Sequence, residues 1–500
     1  MAEFEYRAYV PQDPQAVFDW FSRAGALRRL FPPFGGHVVD EPKAGLAVGS
    51  EAKLLIAAPG VMGTAASAVG ESVAGLTKRW GLPARWSRPE VSWTARHTAL
   101  EPPHMFRDEM VSGPLESWTH THCFEAQDGG TQLFDRVEYE LPARVPAALT
   151  SLASGSLDKE LQRTFAYRHR QVRDDLAFHD RYAQSPRLRV GITGASGFIG
   201  TQLSALLTTG GHTVHAFTRG KDWDPTREFI DLDVVRGLDV VIHLAGQSIG
   251  GRFTAQNKKE ILGSRVSGTR AITRALALAG RDGQQRTLIS ASAVGFYGSH
   301  PHREQEHGEI SSSEADAVPL TEDHAAGSDF LAEVCARWEA EANAAATEGV
   351  RVVVLRTGVV LSPDGGLLAR ILPLFAAGVG GPMAKGAWNS WISRDDLISM
   401  YAHAALTPSL AGTFNAVAPH PVTSEEFAET LGKVMRRPAK IPTPAFGPKL
   451  LLGGEGAEEL AFASQRTSAE KIQRAGFLFR HPTLEVALRH VLGGQDAASS

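Results

Sequence analysis

The chain has 500 residues, a formal charge of −4, 43% hydrophobic residues and 21% charged residues. That length exceeds what one core usually holds, so two or three domains are expected, and the near-neutral balance argues against a polycation that binds nucleic acid. The two cysteines, Cys123 and Cys335, lie far apart without metal-ligand spacing, which argues against a disulfide framework and suits a reducing cytoplasm.

The first residues alternate apolar and charged side chains, with no basic segment leading into an apolar one, so no signal peptide is expected. No apolar run is long enough to span a bilayer. Phe4, Tyr6, Ala8 and Val10 alternate as in a strand, and Pro14 to Phe21 reads as a short helix. Strands are predicted over Val91–His97, Trp118–Phe124 and Gln132–Leu141, the last two joined by a hairpin turn at Asp128-Gly129-Gly130. Leu157, Leu161, Phe165, Val172 and Leu176 keep one face of a long helix apolar.

After a linker at Gln184-Ser185-Pro186 the pattern changes to alternating strands and helices. Strands are predicted over Leu188–Ile192, Thr213–Phe217, Val240–Leu244, Arg286–Ser290 and Val350–Leu355, with a helix over Phe198–Leu207. This alternation implies βαβ units and a parallel sheet. Residues 300–316 are polar and read as a loop, and the tail over 495–500 reads as disordered.

The main chemical motif is Thr193-Gly194-Ala195-Ser196-Gly197-Phe198-Ile199-Gly200, between a predicted strand and a predicted helix. Small residues there admit a pyrophosphate to the backbone, and the first N–H groups of the helix point at it. The alternative is an ordinary glycine-rich turn, but the strand-to-helix context favours a dinucleotide. Gly194, Ser196, Gly197, Phe198 and Ile199 are the expected contacts. The next strand ends Thr218-Arg219, where an NAD-specific site would carry an acid for the ribose. Arg219 suits a 2′-phosphate, so NADP(H) is expected over NAD(H), against the alternative of a solvated loop arginine. Leu244, Ala245 and Gly246 end the third strand and are expected to face the cofactor.

On Thr193–Gly200, His243–Gly246, Ser290–Gly298, Phe330–Cys335, Arg356–Leu361 and Trp391–Asp396, the stretch from about 188 to 494 resembles the extended and atypical short-chain dehydrogenase/reductases of the epimerase family. The segment from about 448 resembles that group's short C-terminal module of unknown function. The resemblance implies a small-molecule substrate, oxidoreductase or epimerase chemistry, and a dimer through paired helices. It also implies roles for Ser292 and for a Tyr-x-x-x-Lys pair, but counting back from Glu339 puts Leu331 and Cys335 at the Tyr and Lys positions. Neither supplies the proton or the fixed charge the pair provides. Tyr297 is a candidate substitute acid, against the alternative of a packing residue, with Glu322 and Lys385 as further pocket candidates. Ser290 and Arg265 are candidate cofactor contacts, Arg265 against the alternative of a solvated helix face.

Val17–Phe21, Arg29–Pro33, Gly113-Pro114, His120–Phe124 and Asp135–Tyr139 resemble the polyketide cyclase/dehydrase-like lipid-transport proteins. That resemblance implies a helix-grip fold with an apolar cavity for a lipid or other apolar molecule. Relative to that family the Ala, Gly and Ser-rich stretch over 57–90 looks inserted, as a lid or a helical hairpin. His120 and His122 share a strand face, but the sequence shows no third ligand, so packing is expected there. Asp395-Asp396 is expected to be a helix N-terminal charge pair, and no metal site is predicted.

The expected architecture is an α/β Rossmann fold, a parallel doubly wound sheet, preceded by an α+β helix-grip domain. The domains are 1–183, 187–445, 446–494 and the 495–500 tail.

Overall fold

The computed structural model describes residues 1–57, 90–143, 145, 147–301, 318–442 and 446–494. The inserted stretch, the polar loop and the tail thus fall largely outside the described residues. The chain forms two compact units, one built on Met1–Ala183 and the other on Gln184–Leu207 and His212–Leu488.

The first unit carries one antiparallel sheet of seven strands. These are β1 (Ala2–Val10), β2 (Gly36–Asp40), β3 (Glu51–Ala57), β4 (Glu90–Glu101), β5 (Met105–Ser112), β6 (Ser117–Gln127) and β7 (Gly130–Glu140). Their order is β1-β7-β6-β5-β4-β3-β2. Asp128 and Gly129 both take positive φ, 47° and 80°, which is the twist a two-residue hairpin needs between β6 and β7. Helix α1 (Pro14–Ser22) starts on an Asp13 cap that accepts from the Ala16 N–H at 2.9 Å, and a short α2 (Ala26–Leu30) follows.

The long helix is α3 (Ala147–Arg181), and all five predicted apolar positions on it are buried. Leu157, Leu161 and Phe165 pack with Trp93 and Val137, and Val172 and Leu176 pack with Trp20, Phe106 and Phe124. Arg29 of α2 and Asp175 of α3 form a bidentate pair at 2.8 Å with side chains 1% and 0% exposed. The sequence pattern did not announce this ion pair.

The second unit is a parallel sheet of six strands: β8 (Arg189–Thr193), β9 (Thr213–Phe217), β10 (Val240–His243), β11 (Thr287–Ala293), β12 (Arg351–Thr357) and β13 (Gly412–Ala416). In space they run β9-β8-β10-β11-β12-β13. Every residue of β10 is buried, as expected of a strand covered on both faces. Connecting helices include α4 (Gly200–Thr209), α5 (Ala255–Ala279), α6 (Phe330–Asn343) and α7 (Arg394–Leu406). The chain leaves β8 for β9 on one side and later returns to β10 on the other, so the strand order reverses between β8 and β10. In a doubly wound sheet such a switch point opens the crevice that binds ligands. Beyond β9 there is a small hairpin, Trp223-Asp224 against Phe229-Ile230, and buried Trp223 and Ile230 join the core there.

Segment 446–488 packs onto the Rossmann core through specific bonds. Asp396, in the first turn of α7, accepts from the Arg480 N–H at 2.7 Å and the His481 N–H at 3.1 Å. The expected charge pair at Asp395-Asp396 is at the helix start, and both residues are buried. Trp391 is also buried in the core, its indole N–H donating to the His420 carbonyl.

Candidate functional site

The switch point is lined by the loop after β8 and the end of β10. Gly194 has φ +74°, and a Cβ there would stand 3.0–3.1 Å from the Ala245 and Leu244 backbone. A Cβ on Gly200 would lie 2.2 Å from the Gly194 carbonyl oxygen. The Gly197 N–H closes the turn on that same carbonyl at 2.9 Å. Backbone therefore packs on backbone, and the start of α4 sits close under the loop. Ser196 and Gly197 are exposed at its lip, with Phe198 and Ile199 partly covered. First-turn N–H groups have no intrahelical partner and carry the positive end of the helix dipole. This is a cradle that a side chain would fill, and it fits a pyrophosphate.

Gly200→Ala is expected to lower nucleotide affinity at least ~10-fold, because the loop must open to admit the methyl group. Titration calorimetry on the folded variant reads this directly, and unchanged affinity would show that the loop does not hold the nucleotide.

At the end of β9 Arg219 is exposed. Of the nearby acids, Asp222 is buried and already engaged, accepting from the Thr218 N–H at 2.6 Å and pairing with His215 Nε2 at 2.9 Å, and Asp224 is half-buried and accepts from the Thr226 N–H and hydroxyl. Both acids are thus engaged with their own neighbours, and the Arg219 guanidinium is presented to solvent.

At the end of β10, His243 is fully buried, its Nδ1 bonded to Thr193 Oγ1 at 2.7 Å. Burial, reinforced by the Arg265 charge, depresses its pKa to about 3, so it is neutral and ties β10 to β8. Arg265 of α5 is not on a solvated face. Its guanidinium lies over the Trp338 ring at 5.1 Å and donates to the Gln247 carbonyl at 2.9 Å, while Ser264 Oγ accepts from the Gln247 N–H at 3.0 Å. A Cβ on Gly246 would stand 3.1 Å from that guanidinium. Ser264 and Arg265 therefore fix the strand-end loop Leu244–Gln247 from the helix side.

Ser290 and Ser292 both lie on β11 and are buried. Ser292 Oγ donates to Glu339 Oε1 at 2.6 Å. Glu339 receives a bidentate bond from Arg356, at 2.9 Å on each oxygen. Arg356 stacks over Phe296 at 3.4 Å and donates to the Tyr297 hydroxyl at 3.1 Å. Tyr297 in turn donates to Asn415 Oδ1 at 2.7 Å, and the Asn415 N–H donates to Glu322 at 2.7 Å.

Tyr297, the candidate substitute acid, is thus packed inside this network. It is 1% exposed, its proton is committed to Asn415, and burial pushes its pKa up to about 12 against the pull of Arg356. Glu322 belongs to the same network, and Lys385 is exposed. Leu331 and Cys335 do face this loop, since a Cβ on Gly295 would stand 3.6 Å and 4.0 Å from them. Burial and then Glu339 raise the Cys335 thiol to about 11, so it is neutral. Sequence reading placed Ser292, Leu331 and Cys335 together but missed the Glu339–Arg356 pair that organises them. The available signal was a lone arginine ending the apolar run Val352–Leu355.

Comparison with known proteins agrees with this geometry. Residues 190–415 match the NAD dependent epimerase/dehydratase family, and residues 443–491 match a domain of unknown function, DUF1731. The chain is 35% identical over 308 residues to the Epimerase family protein Mb2239 of Mycobacterium bovis, covering 60% of this chain and 96% of that protein. A crystal structure described as the nucleoside-diphosphate sugar epimerase from Corynebacterium glutamicum superposes with a TM-score of 0.72 at 31% identity, covering 99% of this chain and 91% of that one. The human epimerase family protein SDR39U1 (isoform 2), solved with NADPH, gives a TM-score of 0.51 at 28% identity, covering 61% of this chain and 99% of that one. The second unit is a Rossmann-like fold of the NAD(P)-binding epimerase type. The chain belongs to the epimerase family.

Proposed function

We propose that the chain binds NADP(H) at the β8/β10 switch point, as a short-chain dehydrogenase/reductase-like protein without the usual proton-transfer pair. The observation that carries this reading is the cradle at Gly194, Gly197 and Gly200, where an added Cβ meets backbone. The amides of Phe198 and Ile199, just before α4, with Ser196, would hold the pyrophosphate. Leu244, Ala245 and Gly246 would line the adenosine side, braced by Arg265. Arg219 would pair with the 2′-phosphate, which the inward turn of Asp222 favours. The human relative's structure with NADPH supports the same choice of nucleotide.

When bound, such a nucleotide supplies or accepts a hydride. The chain's own contribution to proton transfer is the weaker part. Ser292 donates into Glu339 and Tyr297 into Asn415, so both act as positioning residues in this reading. Leu331 and neutral Cys335 offer no replacement acid. This favours a second reading, in which the nucleotide is bound without turnover and the protein senses NADP(H). The two readings separate on Tyr297→Phe. A positioning tyrosine loses a hydrogen bond and ~1 kcal/mol of stability, leaving NADPH oxidation within about threefold of the parent. A loss of turnover beyond ~100-fold in the folded variant, measured over a panel of carbonyl and nucleotide-sugar substrates, would make it the acid instead.

For the first unit we propose a helix-grip ligand-binding domain. The curved antiparallel sheet, the long α3 and a cavity of about 450 Å³ support that reading. Phe21, Leu30, Leu54, Trp93 and Phe106 give the cavity an apolar wall, which suits an apolar small molecule. The domain limits we propose are 1–183, 187–445 and 446–494.

A further inference from the structure

The floor of the cavity in the first unit is not apolar. Strands β5 and β6 bring Asp108, His120 and His122 together there, and one ligand atom from each lies within 4.8 Å of the others. Register explains the convergence, since Asp108 pairs directly with His120, and His122 pairs with Asp135. His120 and His122, two residues apart on one strand, point to the same face. The third ligand that the sequence did not show therefore comes from the neighbouring strand.

Asp135 lies behind these side chains and sets which nitrogens are free. Its Oδ1 bonds His120 Nε2 at 2.9 Å and His122 Nδ1 at 2.7 Å, and its other oxygen bonds His169 Nε2. A carboxylate accepts only, so both imidazoles present N–H to Asp135 and direct their other nitrogens elsewhere. Those nitrogens meet Asp108 Oδ2, which lies 3.4 Å from His120 Nδ1 and 3.7 Å from His122 Nε2. Three potential ligand atoms thus face one another in a buried setting, where a proton or a cation can bridge them. Donors bound about 2.1 Å from one ion in a tetrahedral array stand roughly 3.4 Å apart. A carboxylate fixing the remote nitrogens of metal-binding histidines is the usual outer support of such a site.

From this geometry we infer that Asp108, His120 and His122 form a site for a divalent first-row transition ion, with an open coordination position facing the cavity. Two imidazoles and one carboxylate suit zinc or ferrous iron. Cys123 adds no thiolate, since alternation on β6 turns it to the other face from His122. Arg168 also lines the cavity, so the matching ligand is an apolar molecule bearing an anionic or carbonyl oxygen. This site is independent of the nucleotide cradle.

The test is Co²⁺ titration of the full, untagged, metal-free chain. One equivalent should bind with visible d–d bands, be displaced by Zn²⁺, and shift its bands when imidazole enters the open position. Asp108→Asn and His122→Gln should abolish uptake, and Asp135→Asn should weaken it ~10–100-fold. X-ray absorption on the Zn²⁺-loaded parent, which needs no substitution, should show two imidazoles in the inner shell. Failure of the parent to bind would mean that a proton bridges the cluster and would overturn the proposal. So would uptake that persists in folded Asp108→Asn and His122→Gln, or an inner shell without paired imidazoles. Bands insensitive to imidazole would overturn the open position.

Discussion

Arg219→Asp is expected to raise the NADPH dissociation constant ~100-fold while leaving that for NADH unchanged or slightly improved. The guanidinium is exposed at the end of β9, while Asp222 is held inward by the Thr218 amide and His215 and Asp224 is bonded to Thr226. A charge-assisted bond to a phosphate contributes about 1.5–3 kcal/mol, and about 1.4 kcal/mol is tenfold in affinity. Placing a carboxylate there adds repulsion with the 2′-phosphate, whereas the NADH ribose hydroxyl can donate to it. The opposite signs for the two nucleotides distinguish this from general damage to the loop. Equal losses in paired titrations would reject the 2′-phosphate role.

Glu339→Ala is expected to destabilise the Rossmann unit by about 3–5 kcal/mol, the usual cost of stranding one partner of a buried ion pair. Arg356 would keep its stacking on Phe296 but lose both carboxylate bonds, and the side chains of the pair are 5% and 7% exposed. Ser292→Ala removes one neutral donor to the same carboxylate and should cost ~1 kcal/mol. Urea unfolding of the full chain measures both, with the change confined to the transition of the second unit. A Glu339→Ala loss below about 1 kcal/mol would mean that the pair does not organise the loop around Ser292 and Tyr297.

What the sequence made legible follows from the range of the forces involved. The β8–loop–α4 motif depends on neighbouring residues, so its glycines could be read directly, although the helix begins at Gly200 rather than Phe198. The strand at Thr213–Phe217 lies where its apolar run placed it, and the long-helix stripe from Leu157 to Leu176 is buried throughout. Strands β2, β3 and β5 escaped notice because their alternation is broken by charges such as Asp108 and Glu109. That omission concealed the third member of the His120–His122 cluster. The Ser292–Glu339–Arg356–Tyr297 chain was equally hidden, since its members come from β11, α6, β12 and the turn after β11 and meet only through the sheet order. Tyr297 beside Gly298 looks the same in sequence whether its hydroxyl faces a substrate or Asn415. Tertiary packing decides between them, and here it buries the hydroxyl.

The central claim, an NADP(H) site at the β8/β10 switch point, is tested most directly by calorimetric titration of the full chain with NADPH and NADH in the absence of substrate. The account predicts saturable NADPH binding with much weaker NADH binding. Binding of neither nucleotide would contradict it, as would equal affinity for both.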